Sequence, residues 1–290
     1  MPRQIHFLVA ISFAPRAVCD NWEVAQANLR RTIMSIRGIS RGEYRIAIAC
    51  HEIPDLRDAD GSDVDLLVAP FPIEFEIAHR SADRFRKRRL IGAWLRNQLE
   101  NDGAYVMFLD ADDLVHRNLV NYVDGHDNRR SYIAKTGYII DCTTGLLARH
   151  RSFNATCGSC FVGWFSKPEL PRSFEDMDCP YSQFQKHRQF IDVAMSLGKK
   201  PDPFPFSAIL YFANHSESQR LKRVGEVREI DLRNLISPRR ASSILVDDFS
   251  WRDPQVAGPW GFVYGVLAAS SRQLWRRSMR YGPSRCRASR

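Results

Sequence analysis

The sequence predicts an α/β protein in which helices flank a mostly parallel sheet. Apolar runs alternate with segments of helical spacing over residues 5–126, which is the pattern that successive βαβ units produce. The first run, IHFLVAISF at 5–13, is apolar without interruption, as expected for a parallel strand covered on both faces. Hydrophobic residues make up 44% of the 290 residues, which is enough for a sizeable core.

The other elements of the first half follow in order. After the strand at 5–13 we expect helix, strand, strand, helix, strand and helix, at 21–38, 44–52, 64–71, 81–103, 104–110 and 117–126. Gly38 is placed to stop the first helix. Ser81 can cap the second helix and Gly103 can end it.

The pattern is more irregular in the second half. Two strands are expected around a Thr-Thr-Gly turn within 131–150, followed by a strand, a helix and a strand at 160–165, 181–200 and 206–215. A polar, arginine-rich stretch precedes a last helix at 260–282. We therefore divide the chain into an α/β domain at 1–215, which is the candidate for any binding or catalytic site, and a basic C-terminal helical extension at 216–290.

Charge and cysteine content indicate the surroundings of the protein. The net charge is +9, and residues 216–290 hold 15 basic against 7 acidic residues, which accounts for +8 of it. Seven cysteines without disulfide-framework spacing, and no signal-peptide pattern, indicate the reducing cytosol. We expect a cytoplasmic protein, with the inner face of the membrane as a further location.

Three carboxylates follow the predicted strand at 104–110. Asp110, Asp112 and Asp113 stand where an open α/β sheet binds its ligands, outside the carboxyl end of a strand. Because the three charges repel one another, hydration, arginine partners or a cation must offset them. One interpretation is a solvated turn in which Asp113 caps the next helix. The interpretation we favour is a Mg²⁺ or Mn²⁺ site, since these ions prefer carboxylate oxygens and share their shell with substrate phosphates.

The block KRRLIGAWLRNQLENDGAYVMFLDADDLVHRNLV at 87–120 resembles the nucleotide-sugar glycosyltransferases of the glycosyltransferase A fold, most closely the inverting family 2 type. The Asp-X-Asp motif carries the resemblance, which covers roughly residues 4–215 and does not extend to the last 75. It implies a glycosyltransferase A-type Rossmann-like sheet, a nucleotide-sugar donor and Mn²⁺ or Mg²⁺. The implied reaction is transfer of a sugar, hexosyltransferase-like, to a glycan or lipid-linked acceptor.

The resemblance also implies roles for single residues around the metal. Asp112 would bind the cation directly, and Asp110 would contact the ribose or the cation through water. His215, at the end of the strand at 206–215, would be a further metal ligand or a diphosphate contact. Without the resemblance, a lone histidine is more often a packed or surface residue.

Donor-binding residues follow in the same way. Glu52 would meet the nucleoside, and the backbone at Ser12 and Phe13 would line the base pocket. Asp83 could meet the nucleobase, and Lys87 or Arg84 the diphosphate. The alternative for the basic run at 83–90 is a solvated helix face.

An inverting transfer requires a carboxylate that accepts the proton of the acceptor hydroxyl. SFEDMD at 173–178 supplies Glu175, Asp176 and Asp178, and Asp176 is our choice for the general base. Acids also favour a helix N-terminus for purely structural reasons. Cys179 and Pro180 depart from the family pattern here, which leaves both the base and the stereochemical outcome open.

Other functions receive less support from the sequence. A nucleotidyltransferase usually carries a glycine-rich loop after its first strand, and SFAPRAVCD at 12–20 has no glycine. A non-catalytic nucleotide-binding or scaffold protein of the same fold is the other alternative. Cys157 and Cys160 form a Cys-X-X-Cys, but zinc would need two more ligands at a suitable spacing.

The last helix combines apolar residues with arginine. From Arg272 to the end of the sequence there are seven arginines and no acidic residue. One interpretation is peripheral membrane contact through 260–290, with the apolar face in the lipid. The other is a helix packed on the domain with a solvated arginine face. No nucleic-acid-binding module is recognised, so we do not expect nucleic acid as a partner.

Overall fold

The structure is a computed structural model, and it describes residues 5–56, 63–76, 80–100, 102–126, 128–218, 222, 225, 227–251 and 259–280. It confirms the predicted fold class, because helices flank a mostly parallel sheet. Helices α1 to α6 span Trp22–Arg37, Arg80–Gln98, Leu119–Asp124, Phe190–Ser196, Pro238–Ser243 and Pro259–Arg280. Strands β1 to β11 span Phe7–Ser12, Arg45–Cys50, Val64–Val68, Gly103–Leu109, Leu114–Val115, Tyr132–Ile133, Gly137–Asp141, Leu146–His150, Phe161–Ser166, Asp202–Pro203 and Ile209–Ala213.

The larger sheet places several strand ends along one edge. Its described strands have the order β10-β6-β9-β4-β1-β2-β3. Strand β1 pairs in parallel with β2 and β4, whereas β9 runs antiparallel between β4 and β6. The carboxyl ends of β1, β2 and β4 therefore share an edge, and the residues that precede β9 reach the same edge.

The smaller sheet begins directly after the carboxylates. Its described strands have the order β5-β11-β7-β8. Residues 110–113 connect β4 of the larger sheet to β5, which pairs antiparallel with β11. His215 follows β11, so this pairing brings it close to that connection. Strands β7 and β8 form the predicted hairpin around Thr143, Thr144 and Gly145.

Apolar burial explains both the large core and a second, smaller one. In β1, Phe7 to Ile11 are all at most 1% exposed, as predicted for a strand covered on both faces. Each of these side chains except that of Ala10 stabilises the fold by about 1.5–3 kcal/mol. Ile244, Leu245 and Phe249, around the end of α5, pack with Leu210 in the second cluster. Part of the segment at 216–258 thus packs on the smaller sheet, while the domain boundary at 215 stays a prediction.

The predicted ends of the second helix are wrong. Helix α2 is described from Arg80, so Ser81 lies inside it, and it ends at Gln98. Gly103 instead begins β4, where an added Cβ would collide with the backbone carbonyl of Phe165 on β9. The glycine is needed for close approach of two strands, not for a helix C-cap.

The predicted helix at 181–200 is also wrong in length. Residues 180–189 form two short 3₁₀ turns, and α4 covers only Phe190–Ser196. Tyr181 and Phe184 are both buried, and a 3₁₀ turn points residues three apart in the same direction. Both rings contact Phe165, so aromatic packing favours the tighter turn. The other predicted elements are present, with ends displaced by a few residues.

The last helix packs along the smaller sheet. Helix α6 places Ala269 in the core and leaves Phe262 and Val266 partly buried against it. In the part of the chain that the structure describes, no helix combines the length and the apolar character needed to cross a membrane.

Candidate functional site

Asp110 stands at the carboxyl end of β4 and faces an arginine from α2. Its backbone N–H donates a hydrogen bond to Oγ of Ser159 (2.9 Å). Oδ1 of Asp110 lies 3.7 Å from Nη2 of Arg88, whose guanidinium also lies over the ring of Phe108. Burial lowers the pKa of Arg88 to about 10, so this arginine is still positively charged at neutral pH.

Asp112 is paired with His215. Oδ2 of Asp112 lies 2.8 Å from Nε2 of His215, and Arg31 donates to the carbonyl of Asp112 (3.4 Å). Burial acts to raise the pKa of Asp112, but the hydrogen bond and charge of His215, with the charge of Arg31, outweigh it and lower that pKa. Asp112 is therefore ionised at neutral pH.

The contact between Asp112 and His215 is a carboxylate–imidazole hydrogen bond, and a cation bound by both atoms would take the place of its proton. With metal–ligand bonds of about 2.1 Å, adjacent ligand atoms lie about 3.0 Å apart, which is close to the 2.8 Å between Oδ2 and Nε2. Within the described residues, no group of three or more His, Cys, Asp or Glu side chains is placed to hold a metal. One carboxylate, with phosphate oxygens and water completing the shell, corresponds to the way Mg²⁺ usually binds, whereas imidazole is a more usual ligand of transition-metal ions.

Asp113 anchors the loop that precedes β9. Its side chain is fully buried, and Oδ2 accepts hydrogen bonds from Oγ of Ser159 and Sγ of Cys157. Burial, together with the charges of Asp112 and Asp110, raises the pKa of Asp113 well above its usual value. The alternative that Asp113 caps α3 is wrong, because the N-cap position of that helix is residue 118.

The loop at 157–160 lies against the carboxylates. An added Cβ on Gly158 would lie 2.6 Å from Oδ2 of Asp110, so only glycine leaves this carboxylate where it is. The two cysteines of the loop take different partners: Cys157 donates to Asp113, and Cys160 donates to the carbonyl of Asn154 (3.9 Å). This arrangement gives the Cys-X-X-Cys a structural role.

A buried lysine joins the ends of β1 and β2 to α2. Nζ of Lys87 donates to the carbonyl of Phe13 (2.7 Å) and to Oδ2 of Asp83 (2.8 Å). Oδ1 of Asp83 lies 2.7 Å from Nε2 of His51. Burial lowers the pKa of Lys87, and the charge of Asp83 opposes that shift. We call these four residues, Phe13, His51, Asp83 and Lys87, the lysine cluster.

The other predicted donor-binding residues lie beside the lysine cluster. Oγ of Ser12 donates to the carbonyl of Arg84 (3.2 Å), and Oε2 of Glu52 accepts from the backbone N–H of Arg16 (3.2 Å). The structure thus gathers the predicted nucleoside residues at one edge. Their contacts with a donor stay predictions, and Lys87 would have to exchange one of its two acceptors to meet a diphosphate.

The three acids predicted for the general base lie in a surface turn. Glu175 and Asp178 are exposed, and Asp176 accepts from the backbone N–H groups of Arg172 (2.9 Å) and Asp178 (3.3 Å). The hydrogen bond from Arg172 lowers the pKa of Asp176, which makes its carboxylate a weaker base. Arg89 of α2 holds the turn by donating to the carbonyl of Phe174 (2.6 Å). The role of Asp176 stays a prediction.

Sequence reasoning did not single out Arg88 and Arg89 of α2, and it did not predict that Lys87 is buried. The run at 83–90 was compatible with a solvated face, but Lys87, Arg88 and Arg89 are buried. A signal was present: Asp83, Lys87, Ile91 and Leu95 recur every four residues and all face the interior, as one helix face does. A charged residue in such a stripe indicates a buried ion pair.

A second missed feature fixes the backbone before His215. Asn214 has a positive φ of 64°, and its Nδ2 donates to Oδ1 of Asp141 (2.8 Å) and to the carbonyl of Arg228 (2.9 Å). Asp141 is 1% exposed, and its Oδ2 accepts from Nη2 of Arg272 on α6 (2.9 Å). Asp141 therefore positions the segment that carries His215 towards Asp112.

Comparison with known proteins adds little to this geometry. No protein-family model matches the sequence, and no curated protein matches it either. One solved structure that the fold is similar to is the apo form of mouse xyloside xylosyltransferase 1, which is 12% identical. The match covers 79% of this chain and 86% of that chain at a TM-score of 0.28.

Proposed function

We propose that the protein is a metal-dependent glycosyltransferase that moves a sugar from a nucleoside-diphosphate sugar to a glycan or lipid-linked acceptor. The observation that carries the proposal is the Asp112–His215 pair, 2.8 Å apart at the carboxyl end of β4. Asp110 and the buried Arg88 lie at the same edge, which is where open α/β sheets bind ligands. The resemblance of residues 87–120 to family 2-type glycosyltransferases supports the same activity.

One set of residues would hold the metal that stabilises the diphosphate, and another set would shape the pocket for the nucleoside of the donor. Asp112 and His215 would hold Mn²⁺ or Mg²⁺, and the bound cation would supply charge stabilisation to the departing diphosphate. The lysine cluster fixes the carbonyl of Phe13, which would shape the pocket for the nucleoside.

The proposed general base, which would act on the acceptor, comes from the turn at 172–179. An inverting transfer places a carboxylate within hydrogen-bond reach of the acceptor hydroxyl. Asp176 is the proposed base, with Glu175 and Asp178 as the other candidates. Because both oxygens of Asp176 accept backbone hydrogen bonds, an acceptor hydroxyl would have to use a remaining lone pair.

The test is a thermal-shift series with nucleoside diphosphates and metal. With Mn²⁺ and either UDP or GDP at about one hundred times Kd, binding should stabilise the fold by about 2.7 kcal/mol. Asp112→Asn and His215→Gln should each abolish the shift, because each removes a proposed metal ligand. Hydrolysis of the sugar donor under the same conditions would separate an enzyme from a nucleotide-binding scaffold.

The matched control is Asp102→Asn, since Asp102 lies at the opposite end of the same strand and pairs only at the surface with Arg129 (3.2 Å). It should keep the full shift. If no nucleoside diphosphate raises the melting temperature with any divalent metal, the proposed function is wrong. It is equally wrong if Asp112→Asn retains the wild-type response.

A further inference from the structure

Helix α6 is held against the smaller sheet along one face. An added Cβ on Gly265 would lie 2.8 Å from the carbonyl oxygen of Thr144, and Ala269 is 4% exposed. One turn further, Arg272 donates to the buried Asp141 (2.9 Å). These contacts fix the rotation of the helix about its axis, so its opposite face has a defined direction.

That opposite face is apolar and open. Val263, Tyr264 and Leu267 are 52%, 76% and 62% exposed, and they lie within one turn of each other on the same side of the helix. Exposed apolar side chains that cluster in this way mark an interaction surface more often than scattered ones do. We call these three residues the open face of α6.

The basic residues that follow the open face in the sequence indicate the kind of partner that this face binds. Residues 272–290 contain seven arginines and no acidic residue. An apolar helix face next to a strongly basic stretch is the combination that binds anionic lipid, with apolar groups among the acyl chains and arginine at the headgroups. Tyrosine prefers the same interfacial depth, which suits the most exposed member, Tyr264.

Other partners match this surface less well. A second copy of the chain would carry the same excess of basic residues in its sequence from 272 to 290, and like charges oppose the association of two such copies. Nucleic acid would use the arginines but would leave the open face in water, because phosphate contacts are polar. We propose that the open face of α6 docks on an anionic lipid bilayer.

Docking would place the protein next to a lipid-linked acceptor. That last step rests on the proposed function, whereas lipid binding itself does not. The two can fail separately: loss of the nucleotide-induced thermal shift concerns the proposed function, and loss of vesicle binding concerns the open face.

The experiment is cosedimentation of the full chain with vesicles of phosphatidylcholine alone or mixed with phosphatidylglycerol. Wild type should bind the anionic vesicles at least about tenfold more tightly. Val263→Ser with Leu267→Ser should weaken that binding about tenfold or more, because serine removes the apolar burial. Arg285→Gln, Arg287→Gln and Arg290→Gln together should weaken it on anionic vesicles and leave weak phosphatidylcholine binding unchanged.

The matched controls are Val68→Ser and Met195→Ser, which are 54% and 53% exposed elsewhere on the surface. Both should bind vesicles like wild type, and all variants should keep the wild-type melting temperature and Mn²⁺–nucleotide shift. Equal sedimentation with both vesicle types would overturn the proposal. So would wild-type binding by the serine double variant, or a wild-type dimer that this variant abolishes.

Discussion

The lysine cluster and the carboxylate turn at 110–113 lie at the same edge of the sheet, yet they differ in how completely the protein pairs their polar atoms. In the lysine cluster, Lys87 has two acceptors and both oxygens of Asp83 have a partner. Around the turn, Oδ1 of Asp113, Nη1 of Arg88 and Nδ1 of His215 are buried, and the described residues offer them no hydrogen bond.

This difference indicates that the lysine cluster stabilises the fold, whereas the carboxylate turn is available to bind a ligand. A complete network of buried charges holds three elements together, and removing one partner leaves another charge unpaired. Buried polar atoms without protein partners are uncommon, and water, an ion or a ligand can satisfy them. We therefore expect substitutions in the lysine cluster to act mainly on stability, and substitutions around the turn to act mainly on metal and nucleotide binding.

The largest expected effect on the free energy of unfolding comes from a substitution in the lysine cluster. Lys87→Met removes the ammonium but keeps much of the buried alkyl chain, and it leaves the Asp83 carboxylate without its buried cation. Breaking such a pair by removing one partner should reduce the free energy of unfolding by about 3–5 kcal/mol. Urea denaturation monitored by circular dichroism measures this change.

The control for Lys87→Met is Lys186→Met, since Lys186 is exposed. Its free energy of unfolding should stay within about 0.5 kcal/mol of wild type. A loss below about 1 kcal/mol for Lys87→Met would mean that the cluster does not brace the sheet edge, and the contrast with the turn would disappear.

The second expected effect concerns Asp141, which does not touch the carboxylate turn but positions His215 through Asn214. Asp141→Asn removes the negative charge that pairs with Arg272, and it weakens the hydrogen bond that Asn214 donates to this side chain. Loss of hydrogen bonds to a charged group should cost about 1.5–3 kcal/mol at pH 7. The thermal shift with Mn²⁺ and UDP should fall as well, because His215 follows Asn214 directly.

The stability effect of Asp141→Asn should depend on pH. Burial acts to raise the pKa of Asp141, but hydrogen bonds from Asn214, Thr143 and Thr144 outweigh it and lower that pKa. A lowered pKa stabilises the fold above the unfolded-state value of about 3.9, and this stability is lost as pH falls through the folded-state pKa. The difference between wild type and variant should therefore shrink below about pH 4.

Asp202→Asn is the control for that pH series, because Asp202 pairs with Arg130 at the surface (3.2 Å). Such a pair contributes about 0–1 kcal/mol, so the variant should follow the wild-type curve within that range. A constant gap between Asp141→Asn and wild type from pH 7 to pH 3 would show that the carboxylate charge is not what matters.

Local patterns explain what the sequence could predict. The uninterrupted apolar run of β4 predicted a covered strand, and its end placed Asp110 and Asp112 at the ligand-binding edge. The strand end follows from the local pattern of residues 104–120. The parallel pairing follows from the alternation of strands and helices over residues 5–126, and parallel sheets bind ligands at the carboxyl ends of their strands.

Long-range packing explains what it could not predict. The pair of Asp112 with His215 joins residues 103 positions apart and depends on β5 pairing with β11. Strand β5 was not predicted from the sequence, and a place for His215 near the metal site was expected only through the family resemblance. The 3₁₀ turns at 180–189 depend on aromatic rings meeting from separate elements, which no local period specifies.

The smallest expected effect on stability comes from Gly158→Ala, which tests whether the carboxylate turn acts on binding rather than on stability. In Gly158→Ala the new methyl group would lie 2.6 Å from Oδ2 of Asp110, so the carboxylate must rotate away. Because Asp110 is a flexible side chain that is partly exposed, the unfolding free energy should fall by less than about 1 kcal/mol. Donor binding should suffer far more, since the rotation moves a proposed ribose or metal contact.

The measurement is the Mn²⁺–UDP thermal shift of Gly158→Ala, with Gly125→Ala as control. Gly125 ends α3 in a right-handed conformation, and an added Cβ there would approach only backbone carbonyl groups. The control should keep the shift, whereas Gly158→Ala should lose most of it at nearly wild-type stability. An unchanged shift in Gly158→Ala would show that the position of Asp110 does not govern binding, and the proposed site would then depend on Asp112 and His215 alone.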